Sequence, residues 1–173
     1  MSHIRRAAGR ATGRREFITN NQTTAQIINQ MKRAEYHSRN SSKRLVPAFK
    51  KSEKERTTKV LFNYLQKKLE YKKEKGKRQT AKTISRHLSD GFGDCKHYTT
   101  TAVGILNACG IPAWFVLVSQ HRWKLNPNHA YAQCIIDGDI VTFDPCRTYD
   151  SECKFFHKYR FLPYRQNQLS TWR

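Results

Sequence analysis

The sequence contains no apolar run near the roughly 18 residues that a membrane span needs, and its first residues lack the apolar stretch of a secretory signal. We therefore expect neither a membrane span nor export by that route. Acidic residues are also scarce, with 13 Asp and Glu against 33 Lys and Arg and a formal net charge of +20. A basic excess of this size predicts a partner with an acidic surface, most simply nucleic acid.

Closely spaced cysteine pairs are missing as well. The five cysteines are an odd number, which argues against a disulfide framework and predicts a reducing environment. Cys146, Cys153 and His157 do not have the spacing of a common closed zinc site, so we predict no metal and no cofactor. The cytoplasm, or the inside of a virion or other nucleoprotein particle, fits these features.

The positive charge is concentrated toward the N-terminus, where residues 1–54 hold 13 basic and 3 acidic residues. We expect residues 1–21 to form an extended basic arm, followed by an amphipathic docking helix over 22–39 and a linker over 40–51. A second domain then covers residues 52–173. The residues expected to bind nucleic acid or another large acidic assembly are Arg5, Arg6, Arg10, Arg14 and Arg15.

The second domain begins with helical patterns. Apolar residues at helical spacing predict a helix that starts with a capping box from Ser52 to Glu55, and a short helix over 80–88 follows a charged loop. Asp94 is a good N-cap for a helix over 95–109, which we expect to end at a glycine followed by a proline. Cys95 is the first residue of that helix.

Strand patterns follow this helix. The β-favouring run over 113–119 predicts a central strand buried on both faces. Two further strands, over 129–136 and 139–143, are separated by an Asp-Gly dipeptide typical of a two-residue hairpin turn. Basic and aromatic residues alternate after residue 149, which favours a strand or hairpin on the core over base stacking on nucleic acid.

The hairpin turn fixes a register with chemical consequences. If Ile136 pairs with Asp139, Tyr131 faces Asp144, and His129 lies on the same sheet face two residues away. His129 and Asp144 are then diagonal neighbours about 7 to 8 Å apart at the backbone, a gap that their side chains can close. A three-residue loop would instead place them on opposite faces.

Cys95, His129 and Asp144 together predict a thiol nucleophile, its general base and the group that orients the base. The helix start suits a nucleophile, since the positive end of the helix dipole favours the thiolate. His97 and His121 are competing bases, although His97 is expected to point away from Cys95. The residues expected to shape a substrate cleft are Trp114, His121 and Tyr131, although aromatic residues on a strand are more often part of the core.

The motifs that carry this chemistry are Gly93-Asp94-Cys95, residues 106–113, residues 128–131 and Phe143-Asp144-Pro145, with Leu-Glu-Tyr at 69–71 as a lead-in. Taken together, residues 55–146 resemble the transglutaminase-like superfamily. The resemblance implies an α+β, papain-like core in which the nucleophile helix packs on an antiparallel sheet. It departs from the family at Tyr131, where Trp is common, and at Trp114, where Arg is frequent.

The resemblance implies acyl transfer or hydrolysis at protein amide bonds through a thioester, with Cys95, His129 and Asp144 as the catalytic residues. The expected substrate is a protein or peptide. Whether water or an amine resolves the thioester is left open by the sequence. The alternative is a structural or nucleic-acid-binding component, for example of a virion, that reuses the fold without catalysis.

Overall fold

The computed structural model describes residues 2–9, 16–19, 23–74, 79–147 and 149–164. The elements are α1 (Ser2–Ala8), β1 (Glu16–Thr19), α2 (Thr24–His37), α3 (Arg39–Phe49), α4 (Lys54–Lys68), β2 (Glu70–Tyr71), β3 (Gln79–Lys82), α5 (Ile84–Asp90), β4 (Phe92–Gly93), α6 (Cys95–Ala108), β5 (Ala113–Ser119), β6 (His129–Ile136), β7 (Asp139–Phe143) and β8 (His157–Phe161). Within these residues, no helix is both long enough and apolar enough to cross a bilayer.

Helix α6 packs against an antiparallel sheet of four strands in the order β7-β6-β5-β8. Apolar residues dominate the body of α6, and nearly all of its side chains are buried. On the facing side of the sheet, Phe115 and Leu117 of β5 join the main hydrophobic cluster with α6. This arrangement confirms the α+β fold that the sequence predicts.

Strand β5 is central and buried on both faces, as predicted. Val116 and Val118 point away from α6 into a second, smaller cluster with Tyr131 and Cys153. Strand β8 lies antiparallel beside β5 and pairs Ser119 with His157. The aromatic and basic stretch after residue 149 therefore adds a strand to the sheet, which confirms the packing interpretation.

The β6–β7 hairpin has the predicted two-residue turn and register. Ile136 pairs with Asp139, and Ala132 pairs with Phe143. Asp137 and Gly138 occupy the turn with φ angles of 52° and 102°. Positive φ at both central residues is what this tight turn requires, and Asp and Gly tolerate it better than most residues.

The predicted extended arm is wrong over residues 2–8, which form helix α1. Ala8 is fully buried, and its carbonyl accepts hydrogen bonds from Arg44 at 2.9 Å and Ser85 at 2.8 Å. Residues 16–19 form β1, which pairs with β3 and places Phe17 in the main hydrophobic cluster. The prediction of an extended arm depended on the arginines, whereas the small apolar residues between them pack against the main hydrophobic cluster.

The predicted linker over 40–51 is also wrong, because residues 39–49 form helix α3. Ser41, Leu45 and Phe49 recur every four residues and are all buried. The serine hydroxyls that indicated a linker are satisfied inside the fold, since Ser41 hydrogen-bonds Ser85 at 2.8 Å. Side chains before and after the expected boundary near residue 52 share the main hydrophobic cluster.

Two further local predictions need correction. Helix α4 starts at Lys54 without the expected capping box, and Thr57 instead accepts the Lys51 N–H at 2.8 Å. Residues 79–82 form strand β3 rather than the start of a helix, because they pair with β1. The paired residues lie 60 to 66 positions apart in the chain, so local periodicity could not reveal the pairing.

Two histidine side chains pack closely against Gly93, which lies just before α6. A Cβ atom at Gly93 would come within 2.7 Å of His97 Cβ and 2.8 Å of His87 Nε2. His87 is fully buried and hydrogen-bonds Thr101 through Nδ1 at 2.8 Å. Burial, followed by the positive charges of neighbouring groups, holds its pKa well below the usual value, so the imidazole is neutral. Glycine at position 93 therefore leaves room for two buried imidazoles.

Candidate active site

Cys95 is the first residue of α6 and is partly exposed. Asp94 caps the helix as predicted, because its side chain accepts the Lys96 N–H at 3.1 Å. The cap is reciprocal, since the Asp94 N–H donates to His97 Nδ1 at 3.0 Å. The sulfur is thus held at the positive end of the helix dipole.

A buried charge network fixes this cap. Burial opposes ionisation of Asp94, but its contacts with His97 and with the Lys96 ammonium outweigh burial and lower the pKa of the carboxyl. Lys96 pairs with Asp94, reaches Gln79 at 2.7 Å, and lies 3.4 Å from Glu74. The first turn of α6 is therefore tied to β3 and to the residues that follow β2.

His129 and Asp144 meet as the hairpin register predicts. His129 Nε2 lies 2.6 Å from Asp144 Oδ2. The other carboxylate oxygen, Oδ1, accepts the backbone N–H of Cys146 at 3.1 Å, and Arg147 Nε lies 3.7 Å from Oδ2. Asp144 is 1% exposed, so this carboxylate interacts with these neighbouring groups rather than with solvent.

The remaining nitrogen of His129, Nδ1, is left for the Cys95 sulfur. Burial disfavours a charge on this imidazole, but hydrogen bonds with Asp144 and Cys95 outweigh burial and raise the pKa of His129 to about 10. The imidazole is therefore protonated on both nitrogens at neutral pH. Its two partners are a carboxylate on one side and the thiol group on the other.

Cys95 and His129 line one cavity of about 990 Å³. Asp144 lies behind His129, and its neighbours Pro145, Cys146 and Arg147 contribute to the wall. The cavity is also lined by Thr24, Ile27, Gln66, Tyr71, Lys73, Glu74, Gln79, Asp94, Lys96, Leu117, Gln120, Asn126, Pro127, Asn128 and Ala130. Helices α2, α4 and α6, strands β2 and β3 and the main sheet therefore all contribute to it.

Tyr71 is a site residue that sequence reasoning quoted only as part of the family lead-in. Strand β2 pairs in parallel with β4, and the Lys72 N–H donates to the Gly93 carbonyl at 2.8 Å. This pairing brings the Tyr71 hydroxyl into hydrogen-bonding contact with Cys95. Burial and then the negative charge at Cys95 raise the pKa of Tyr71, which keeps its hydroxyl protonated.

The three residues predicted to shape the cleft lie elsewhere. Trp114 lines a separate cavity of about 800 Å³, bounded by α2, α3, the C-terminal part of α6 and residues 162–164. His121 is exposed, and Tyr131 is buried in the second cluster, where its hydroxyl donates to Glu152. The prediction failed because Trp114 lies at the other end of β5 from Val118, which pairs with His129, and because Tyr131 packs into the second cluster.

The competing bases occupy other positions. His97 is buried, caps α6 and hydrogen-bonds Thr80 at 3.2 Å through Nε2. This placement agrees with the expectation that His97 points away from Cys95. Of the arginines predicted to bind an acidic partner, Arg5 and Arg6 are exposed on α1, while Arg10, Arg14 and Arg15 lie outside the described residues.

The sequence model of the transglutaminase-like superfamily matches residues 43–145. A solved structure assigned as a protease, from Parabacteroides distasonis, has a TM-score of 0.58 and 15% identity, covering 69% of this chain and 25% of that protein. Legionella pneumophila LapG has a TM-score of 0.46 and 15% identity, covering 70% of this chain and 71% of that one. No curated protein matches the sequence.

The chain spans only a quarter of the Parabacteroides protein, so this likeness concerns the fold of one region. The family match covers more than half of the chain and includes both Cys95 and Asp144. It agrees with the helix-on-sheet arrangement that brings the thiol, the imidazole and the carboxylate together. The chain belongs to the transglutaminase-like superfamily.

Proposed function

We propose that the protein is a thiol enzyme that transfers or hydrolyses acyl groups at protein amide bonds. Cys95 is the nucleophile, His129 the proton carrier and Asp144 the residue that orients the imidazole. The observation that carries this proposal is the position of the His129 ring, between Asp144 at 2.6 Å and the sulfur at the start of α6.

In the first half of the reaction, the Cys95 thiolate attacks the amide carbonyl carbon and a C–S bond forms. The protonated His129 then gives its proton to the leaving amine as the C–N bond breaks, which leaves a thioester. In the second half, water or a primary amine attacks the thioester and gives a proton to His129. The sulfur departs as thiolate, and the imidazolium is restored.

The negative oxygen of the tetrahedral intermediate needs hydrogen-bond donors. The Cys95 N–H is at the first position of α6, where no intrahelical carbonyl is available as its partner. The Tyr71 hydroxyl is the second donor in the proposal, because it lies beside the sulfur and its raised pKa keeps it protonated. Such donors are worth on the order of a hundredfold or more in turnover.

Alkylation by iodoacetamide tests the proposed ion pair between the Cys95 thiolate and the His129 imidazolium. Because the pKa of His129 is raised to about 10, the imidazolium that stabilises the thiolate persists throughout pH 7 to 9. We expect Cys95 to react before the other four cysteines, at a rate that changes little over this range. The reaction of an ordinary thiol rises roughly tenfold per pH unit below its pKa of about 8.5. Peptide mapping by mass spectrometry measures both rates.

The His129→Ala variant should lose both the preference for Cys95 and the flat pH profile. The Cys146→Ser variant is the matched control, because it removes the other thiol in the cavity and should leave Cys95 labelling unchanged. Equal labelling of all five cysteines in the unaltered protein would contradict catalysis and favour a structural role for the fold.

The N-terminal basic segment anchors the enzyme to nucleic acid or a nucleoprotein particle in this proposal. Its support is the net charge of +20 and the absence of any acidic residue before Glu16. A reducing location, in the cytoplasm or inside such a particle, suits five free cysteines. Deleting residues 1–21 is a poor test, since it also removes the buried Ala8 and Phe17.

Paired substitutions of equal charge test the anchor without removing core residues. We expect the Arg14→Gln/Arg15→Gln variant to bind a duplex DNA of about 20 base pairs more weakly than the unaltered protein does. Affinity is measured at salt concentrations from 50 to 200 mM. The slope of log affinity against log salt should fall by about 0.9 for each phosphate that the variant no longer neutralises. Lys67→Gln/Lys68→Gln, on the exposed end of α4, should have little effect. Equal weakening of binding by both pairs, measured by fluorescence anisotropy, would contradict a dedicated anchor.

A further inference from the structure

The loop over residues 120–128 joins β5 to β6 and borders the cavity that contains Cys95. Its two ends line the cavity through Gln120, Asn126, Pro127 and Asn128. Its middle carries two large apolar side chains that face solvent, with Trp123 85% exposed and Leu125 64% exposed. The two apolar residues thus lie between the two ends of the loop, which line the cavity of the candidate active site.

Hydrogen bonds fix the backbone of this loop. Its base is closed by the Asn128 side chain, which accepts the Gln120 N–H at 2.8 Å and donates to the Gln120 side chain at 3.2 Å. The Ser119 hydroxyl donates to the Lys124 carbonyl and accepts the His121 N–H at 3.3 Å. The exposed side chains are therefore displayed from an ordered backbone.

Strand β8 holds the loop from the other side. Tyr159 donates its hydroxyl to the Leu125 carbonyl at 3.4 Å, and His157 Nε2 lies 3.2 Å from the Arg122 carbonyl. The preceding residue, Phe156, donates its N–H to the Ser119 carbonyl at 2.9 Å and is itself 59% exposed. Three exposed apolar side chains are therefore carried by two chain segments, the loop and the start of β8, that are hydrogen-bonded to each other.

Single exposed apolar residues are ordinary on protein surfaces, but an ordered apolar cluster beside a cavity marks an interaction site. Its charges indicate what the partner carries. Arg122 stacks over the Trp123 ring at 4.9 Å, and Lys124 follows it. Lys73, Lys96 and Arg147 line the cavity itself against two carboxylates, Asp94 and Glu74, which both lie beside Lys96.

We propose that Trp123, Leu125 and Phe156 form a docking rim for the polypeptide substrate of Cys95. The rim takes an apolar side chain next to the reacting amide, and Arg122 and Lys124 pair with acidic residues beside it. The partner is a polypeptide rather than a nucleic acid, because the loop borders the cavity of the proposed nucleophile, whose acyl donor is a protein amide. This inference rests on the proposed function, since the docked chain is the acyl donor.

Selection from a library identifies a ligand and tests the rim together. The library consists of random 12-residue peptides displayed on phage, selected on the Cys95→Ala protein. The selected peptides should contain Leu, Ile, Phe or Trp beside Asp or Glu. A labelled selected peptide should bind the Cys95→Ala/Trp123→Ser/Leu125→Ser protein at least tenfold more weakly, because buried aromatic anchors dominate such interfaces.

The matched control is Ile140→Ser, which removes an apolar side chain of 51% exposure near the hairpin turn of β6 and β7. This control should bind the peptide as tightly as its parent. Equal affinity of the rim variant and its parent overturns the proposal, as does selection of peptides without apolar or acidic residues. Displacement of the peptide by single-stranded poly(U) would assign the rim to nucleic acid instead.

The rim and the catalytic proposal fail in different ways. In a protein that retains Cys95, the Trp123→Ser/Leu125→Ser change should leave alkylation by iodoacetamide unaltered, since the small reagent needs no docking surface. Slow, unselective alkylation together with rim-dependent peptide binding would contradict the catalytic proposal and leave a peptide-binding surface. Selective alkylation with rim-independent binding would contradict the rim alone.

Discussion

Replacing Asp144 with Asn is expected to lower the acylation rate of Cys95 by about four orders of magnitude. The Asp144 Oδ1 atom accepts the Cys146 N–H, so the oxygen of an Asn side chain would stay there and its NH2 group would face His129 Nε2. A donor at that position forces Nε2 to accept, which places the imidazole proton on Nδ1 and stops it from taking a proton from the thiol.

The rate is measured as p-nitrophenolate release from p-nitrophenyl acetate, alongside a thermal melt. Asp139→Asn is the matched control, since this residue begins β7, the strand that Asp144 follows, but is exposed at the hairpin turn. The control should retain full activity. An Asp144→Asn rate within tenfold of the unaltered protein would show that the carboxylate does not set the state of the imidazole.

The second large effect concerns folding and follows from Gly93. An alanine there would clash with His97 Cβ at 2.7 Å and His87 Nε2 at 2.8 Å. Neither imidazole is free to withdraw, because His87 is bonded to Thr101 and His97 to Asp94. We expect Gly93→Ala to lower the free energy of unfolding by about 1 to 3 kcal/mol.

A change of that size lowers the melting temperature by roughly 2 to 4 °C per kcal/mol in a protein of this length. Cys95 alkylation should also slow, since the strained turn carries the cap of α6. Gly138→Ala provides the control, because its site is open and only its positive φ opposes a side chain. If both variants are destabilised equally, close packing is not the reason for glycine at position 93.

Local chemistry explains which parts of the fold were predictable. The cap at Asp94 and the hairpin turn at residues 137–138 depend on neighbouring residues alone, and each fixed the position of a site residue. The register then brought His129 to Asp144 without knowledge of the rest of the chain. For this reason, Cys95, His129 and Asp144 could be identified from the sequence as candidate site residues.

The missed features depend on distant partners. Strand β2 has two residues, too few for a pattern, yet its pairing with β4 places Tyr71 beside Cys95. Strand β1 is recognisable only through its pairing with β3. The cleft prediction failed at Trp114 and Tyr131 because the pattern of a strand shows neither how far each side chain lies from the cavity nor which of them a second cluster buries.

Helix α2 connects the proposed N-terminal anchor to the cavity that contains Cys95. Thr24 and Ile27 form part of the wall around Cys95, and Arg15 precedes Thr24 by only nine positions in the chain. A particle gripped through that arginine would hold its own proteins within a short radius of the sulfur. Tethering of this kind raises the local substrate concentration into the millimolar range, so a weak intrinsic affinity would suffice for turnover on the particle.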